Sequence, residues 1–202
     1  MSIKKISKDQ PNTFKFSDDN LAKAKIEINK YPKQKKGSAV MSLLYLAQDQ
    51  NDNWIPLEAM KYIAKLLDMP YIKVYEVATF YSMYNLSPVG KYFIQVCTTT
   101  PCMIRGAKKI TEACKKYVSP NQNKLSENKL CSWVEVECLC ACVNAPMMQV
   151  NKDYFEDLDQ KSASKIFQQL LEDKFPKPGS VKNRTSNAPE KGKTTLMNLK
   201  NA

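Results

Sequence analysis

"KYFIQVCTTTPCMIRGAKKITEACKKYV", residues 91–118, is where the hydrophobic period of this chain changes, and its reading decides the fold. The first seven residues are β-rich and nearly all apolar, as a central strand would be. From Pro101 the pattern is helical, with Met103, Ala107, Ile110, Cys114 and Tyr117 on one face. Thr100 is placed to cap that helix and Pro101 to open it.

Downstream, "CSWVEVEC" (131–138) alternates, sending Val134, Val136 and Cys138 one way and Trp133, Glu135 and Glu137 the other. "APMMQVNKDYFEDL" (145–158) fits a hairpin turning around Asn151 to Asp153. "DQKSASKIFQQLLED" (159–173) is a last helix, with Ala163, Ile166, Phe167, Leu170 and Leu171 inward. Residues 87–175 therefore read as a small β-α-β-β-β-α domain of thioredoxin size.

Upstream the period is helical throughout 17–86. "SDDNLAKAKIEINKY" opens at a cap, Ser17. "GSAVMSLLYLAQDQ" carries Val40, Leu43, Leu44 and Ala47 on one stripe, with Ser38 as its expected N-cap. "IPLEAMKYIAKLLD" repeats the stripe with Met60, Ile63, Ala64 and Leu67. "MPYIKVYEVATFYSMY" does so with Val74, Val77, Ala78 and Tyr81, Pro70 suiting a first-turn position. These four amphipathic segments predict a helical bundle, and the fold class is α+β. Residues 1–16 read as a disordered tail, and 176–202, rich in Pro, Gly and Lys, as an extended basic one.

A chain of 202 residues, 43% hydrophobic and 25% charged, can bury a sizeable core. No apolar run approaches the roughly 18 residues that suggest a membrane span. The N-terminal stretch lacks the apolar core of a signal peptide and the Arg-rich character of a transit peptide, so a cytoplasmic or mature organellar protein is expected. The net charge of +11 sits mainly in the tails: residues 1–16 contribute +3 and residues 174–202 contribute +6. That placement argues for solvated or docking tails and not for a nucleic-acid surface.

Histidine is absent, which removes Ser-His-Asp and Cys-His catalysis, Rieske ligation and mixed Cys/His zinc sites. Seven cysteines without a secretion signal point to metal or redox chemistry in a reducing compartment. Cys97 and Cys102 frame "CTTTPC" at the end of the predicted strand. A second group, Cys138, Cys140 and Cys142, lies in "CLCACVNAP", where three thiols alternate and spacing leaves the ligands open. Four thiolates suit tetrahedral zinc or an iron–sulfur cluster. A four-residue gap also occurs in plant-type ferredoxins, which sets the cluster ahead of zinc, and the lack of C-x-x-C speaks against a dithiol oxidoreductase. Helix N–H groups beside Cys102 would favour its thiolate, whereas Glu135 and Glu137, if close, would lower the potential of a cluster. Cys114 falls on the helix stripe and reads as core; Cys131 reads as an incidental loop residue.

"VCTTTPCMIRGA" and "VECLCACVNAPMMQVNKDYFEDL" resemble the thioredoxin-like [2Fe–2S] subunit of respiratory complex I, the bacterial NuoE family and its mitochondrial counterpart. "NWIPLEAMKYIAKLLDMPYIKVYEVATFYSMYNLSPVGKYFIQVC" resembles the helical region of that family and its junction with the ferredoxin domain, and the tail ending "GKTTL" is also similar. The resemblance spans about residues 17–196. It implies a helical bundle followed by a thioredoxin-like [2Fe–2S] ferredoxin domain, with one cluster held by Cys97, Cys102, Cys138 and Cys142. It implies no catalytic residue on this chain. FMN and NADH are expected on a partner flavin subunit, against which this chain docks to exchange single electrons, beside the other iron–sulfur subunits. Nucleic acid is not an expected partner, and membrane association is expected only through the complex, on the cytoplasmic or matrix face.

The one departure from the family motif is Cys140, where C-L-G-x-C is usual. Glycine there would allow a positive φ, so Cys140 must adopt that backbone despite its Cβ or the loop must shift. An inert, tolerated thiol is the expectation, against exchange of Cys140 for a lost ligand. The alternatives from sequence are a diaphorase subunit of an NAD-linked hydrogenase or formate dehydrogenase, a structural zinc module, and a DNA-binding redox sensor. The last is weak, because residues 71–82 offer only Lys73, offset by Glu76, where a recognition helix needs exposed basic or amide side chains.

Overall fold

The computed structural model describes residues 5–192, 194 and 195, and the chain divides into two compact units between Val89 and Gly90. In the first unit, α1 (Asp18–Asn29) starts where Ser17 Oγ accepts the Asn20 N–H at 3.3 Å, with Asp18 and Asp19 in the first turn where the helix dipole favours them. A 3-10 stretch, Lys33–Ala39, runs directly into α2 (Val40–Gln50), so Ser38 lies inside a turn and does not cap the helix as expected. α3 (Leu57–Leu67) buries Ala59, Met60, Ile63, Ala64 and Leu67, the stripe read from the sequence. α4 (Tyr71–Phe80) buries Val74 and Ala78, with Pro70 at the N-cap one position earlier than expected, and Tyr81 already in extended backbone.

Buried polar groups stitch this unit. Gln48 Nε2 donates to Met83 O (3.1 Å) while its Oε1 accepts the Asn85 N–H (2.7 Å), and Tyr84 Oη donates to Met41 O (3.0 Å). The expected disorder of the first sixteen residues does not hold for those described. Ser7 N–H donates to Leu86 O (2.9 Å), and Gln10 Oε1 accepts the Leu57 N–H (2.8 Å). Phe14 and Phe16 meet Tyr62 edge-on at 5.9 and 5.5 Å. Two aromatic rings outweigh the polar composition of the segment, because each buries a large apolar area. Residues 1–4 lie outside the described residues.

The second unit is a five-stranded sheet in the order β2-β1-β3-β4-β5. β1 (Tyr92–Cys97) is paired on both edges, parallel to β2 (Cys131–Val136) and antiparallel to β3 (Met148–Val150). β3 continues into β4 (Asp153–Glu156), and β5 (Gly179–Ser180) adds in parallel beyond it. Gly90 leads into β1 at φ +83°, where a Cβ would stand 2.6 Å from the Leu130 carbonyl oxygen, so only glycine fits. The hairpin turns at Asn151 (φ +55°), whose Oδ1 accepts the Phe93 N–H (2.9 Å) and whose Nδ2 donates to Lys91 O (2.9 Å).

The helix expected from Pro101 to Val118 is two. α5 (Thr100–Ile104) ends before Gly106, which at φ +105° turns the chain into α6 (Ala107–Tyr117). α7 (Gln160–Leu171) begins with a capping box, Ser162 N–H to Asp159 Oδ1 at 2.7 Å and Asp159 N–H to Ser162 Oγ at 2.9 Å. Ile110 and Cys114 of α6 and Phe167 and Leu170 of α7 share one core with Tyr92, Ile94 and Val96. Cys131 is the first residue of β2 and fully buried, not a loop residue, and Trp133 is buried beside it with Nε1–H donating to Ser119 O at 2.7 Å. The tail expected over 176–202 is fixed by β5 and its side-chain bonds as far as it is described; its end from residue 196 lies outside the described residues.

Candidate metal centre

Cys97 closes β1. Its N–H donates to Met147 O (3.3 Å), and the next residue, Thr98, donates to Val136 O (3.3 Å), so the sheet itself fixes this thiol. Cys102 follows in the single turn of α5, also buried. The helix starts one residue earlier than expected: Thr99 is the N-cap and Thr100 is already helical. Cys138, Cys140 and Cys142 lie on the loop after β2, all exposed, and Cys142 opens a 3-10 turn ending at Asn144. Tyr154 on β4 steadies that loop by donating its hydroxyl to Leu139 O (2.8 Å). Cys97, Cys102, Ala107, Ala145 and Met147 form an apolar floor of their own, with Leu139, Ala141 and Tyr154 packed against it.

The thiols group two by two. Cys138 Sγ and Cys142 Sγ stand 3.4 Å apart. Cys102 and the Leu139 backbone of the second loop both act on the Cys97 thiol, and Cys142 acts on Cys102, so both pairs meet in one corner. Burial pushes the Cys97 thiol up, but hydrogen bonds from Thr99, Cys102 and the Leu139 backbone outweigh it and hold it below the ordinary thiol value. Burial pushes Cys102 up to about 12, against a backbone hydrogen bond from Met147. The expected thiolate-favouring influence of the α5 terminus is therefore overridden by desolvation. Cys138 is held low, first by the Cys140 N–H (3.3 Å to its Sγ), and Cys142 is raised, first as donor to Cys138.

Cys140 itself sits at φ +65°, the conformation for which glycine is suited. Cys140 therefore adopts the positive φ despite its Cβ and accepts the strain. Glycine at this position is expected to stabilise the chain by about 1 kcal/mol, the usual αL penalty for a side chain, with no loss of bound iron. Urea unfolding of Cys140→Gly beside the parent checks the first part and iron quantification the second; a less stable or iron-free variant would assign Cys140 an active part in the site. Cys114 and Cys131 stand apart, both raised by burial, Cys131 to about 12. Glu135 accepts from Gln122 Nε2 (2.9 Å), and its charge acts on Cys114. Two further residues belong to the site: Thr99, whose hydroxyl lies 3.5 Å from Cys97 Sγ and also acts on Cys138, and Tyr154, which holds Leu139. A hydroxyl just before a short helix was the available signal for Thr99; nothing local marked Tyr154.

Among the described residues no three Cys, Asp or Glu side chains converge as tightly as one metal ion requires. Two thiol pairs, with backbone N–H groups aimed at the sulfurs over an apolar floor, supply the four sulfurs and the hydrogen-bond donors that an anionic iron–sulfur cluster takes.

Residues 24–171 match the thioredoxin-like [2Fe-2S] ferredoxin family. The chain is 50% identical over 161 residues to the E subunit of the NADH-quinone oxidoreductase of Rickettsia typhi, covering 80% of this chain and 95% of that protein. It is 48% identical over 159 residues to the corresponding E subunit of Rickettsia prowazekii, covering 79% and 90%. The solved structure of an NAD+-reducing [NiFe]-hydrogenase in its H2-reduced state shares the fold at TM-score 0.54 and 16% identity, over 66% of this chain. This chain spans 23% of that hydrogenase chain.

Proposed function

The chain belongs to the thioredoxin-like [2Fe-2S] ferredoxin family, as a complex I component similar to the E subunits of NADH-quinone oxidoreductases, and from this we propose that it is a one-electron transfer subunit paired with a flavin-bearing partner. Cys97, Cys102, Cys138 and Cys142 are the cluster ligands in this reading. When bound, a [2Fe–2S] cluster supplies a one-electron redox centre. The residues of the chain do the rest. The N–H groups of Leu139 and Cys140 and the Thr99 hydroxyl point at the ligand sulfurs and stabilise negative charge there. The floor of Ala107, Ala145 and Met147 keeps water from the buried pair.

The observation that carries the partner reading is the rim. Cys138 and Cys142 face outward, and the residues following the ligands are large, apolar and open: Met103 61%, Ile104 74% and Val143 63% exposed. Apolar side chains grouped around a redox site suit a covering protein surface. That partner would carry FMN and the NADH site, and this chain neither. No helix among the described residues is long and apolar enough to cross a membrane, and we place the chain peripherally, held by the complex on the cytoplasmic or matrix face. The complex I assignment is preferred to a hydrogenase or formate dehydrogenase diaphorase because the half-identical relatives are E subunits of NADH-quinone oxidoreductases, whereas the hydrogenase likeness speaks for the fold alone. The α4 surface argues against DNA: Lys73 is paired with Glu76 at 3.0 Å, next to exposed Ile72.

Co-expression with the flavin subunit of the same assembly tests the reading. The two should co-purify, and NADH should bleach the visible bands of this chain only when that partner is present. Ile104→Glu should weaken the association at least about tenfold, roughly 1.4 kcal/mol, by burying a charge at the contact. Bleaching of the isolated chain by NADH, or association indifferent to a charge at 104, would count against it.

A further inference from the structure

The family match ends at residue 171, yet the chain beyond it returns to the cysteine site. After α7 it pairs as β5, and Val181 N–H donates to Glu156 O (3.1 Å). From there residues 181–188 reach the two residues that follow Cys142. Arg184 Nη1 donates to the Asp157 carboxylate (3.0 Å) and to the Val143 carbonyl (3.4 Å), and its Nε donates to Ala188 O (2.8 Å). Asn144 Nδ2 donates to Ser186 O (2.8 Å) and to Glu156 Oε2 (2.7 Å), while the Asn144 carbonyl accepts the Asp157 N–H (2.7 Å).

This network is buried and charged. The Arg184 and Asp157 side chains are 10% and 1% exposed, and Ser180 Oγ completes the carboxylate at 2.6 Å. The residue type is informative too. Arginine occurs at only two positions, 105 and 184, in a chain with 31 lysines and arginines. A planar guanidinium serves an acid and two carbonyls at fixed angles, which a single ammonium does not.

We propose that residues 179–188 form a strap that sets the position of the second ligand loop, with Arg184 as the positioning residue for Cys142. The proposal rests on the reading that Cys138 and Cys142 are ligands. The upstream end of the loop is held by Tyr154 at Leu139, and the strap holds the downstream end at Val143 and Asn144. A ligand loop tied at both ends keeps its sulfurs in place when the metal is challenged, as outer partners of metal ligands do.

The test uses the full-length chain as purified, comparing Arg184→Gln and Arg184→Lys with the parent. In Arg184→Gln, amide hydrogen exchange should rise in 138–147 and stay unchanged in 92–97 and 107–117. Bleaching of the visible bands by a chelator should be about tenfold faster, and the g-values of the reduced EPR signal should shift. Arg184→Lys should keep the charge opposite Asp157 yet leave exchange in 138–147 raised. Exchange and bleaching like the parent, exchange raised equally in the strands, or full rescue by lysine would each overturn the proposal. If the parent itself binds no iron and sulfide, the ligand reading fails, and the exchange in 138–147 still decides the strap.

Discussion

Serine at any one of Cys97, Cys102, Cys138 or Cys142 is expected to abolish stable cluster binding, while Cys114→Ser, Cys131→Ser and Cys140→Gly retain it. Changes to outer partners of a metal site already cost about 10–100-fold, and loss of a direct thiolate should cost more. The four positions should also differ from one another. Cys97 and Cys102 are buried in the apolar floor, so a serine there places a hydroxyl where the thiol packed and should also lower thermal stability. Cys138 and Cys142 are exposed, so their serine variants should keep the parent fold by circular dichroism and lose only the metal. Iron and sulfide retained in Cys138→Ser or Cys142→Ser but lost in Cys140→Gly would transfer the ligand role to Cys140.

Trp133→Ala is expected to have the largest effect on stability. The indole is fully buried on β2 among Ile110, Cys114 and Phe167, and its N–H bonds the Ser119 carbonyl at 2.7 Å. Removing it should cost about 3–5 kcal/mol through lost apolar burial together with the cavity left behind. Against a typical total of about 5–15 kcal/mol, that is a large share. β2 also delivers the chain to Cys138, so cluster content should fall together with the urea midpoint. A stability within about 1 kcal/mol of the parent would show that this core collapses around the gap.

The sequence made the second unit legible wherever one face is buried. The strand at 92–97 follows from a nearly all-apolar run that suits an interior strand, the hairpin from its turn residues at Asn151, and the stripe of α7 from a helical period with one buried face. Gly106 splits the single helix expected from Pro101, as a left-handed glycine commonly stops a helix. The boundaries that slipped are Ser38, where a 3-10 turn runs into the helix, Thr100, where the neighbouring Thr99 takes the capping position, and Pro70, which is itself the cap instead of a first-turn residue. Pattern reading missed what depends on contacts distant in sequence. Phe14 and Phe16 order the N-terminal segment through Tyr62, and Arg184 reaches Val143 from 41 residues away. At the candidate site the cysteines were visible as residue types, and a resemblance selected four of them. The loop strain expected at Cys140 is present as φ +65°, while the backbone N–H groups that tune the sulfurs alongside the Thr99 hydroxyl are ones no side-chain pattern reveals.

The most direct measurement is metal and sulfide analysis of the anaerobically purified chain, joined to EPR after dithionite reduction. Iron and acid-labile sulfide in equal amounts, visible bands that bleach on reduction, and a half-integer-spin signal in the reduced protein are the expected result. Near-stoichiometric zinc, with no sulfide and no visible absorbance, would contradict the cluster and make the two thiol pairs a structural zinc site.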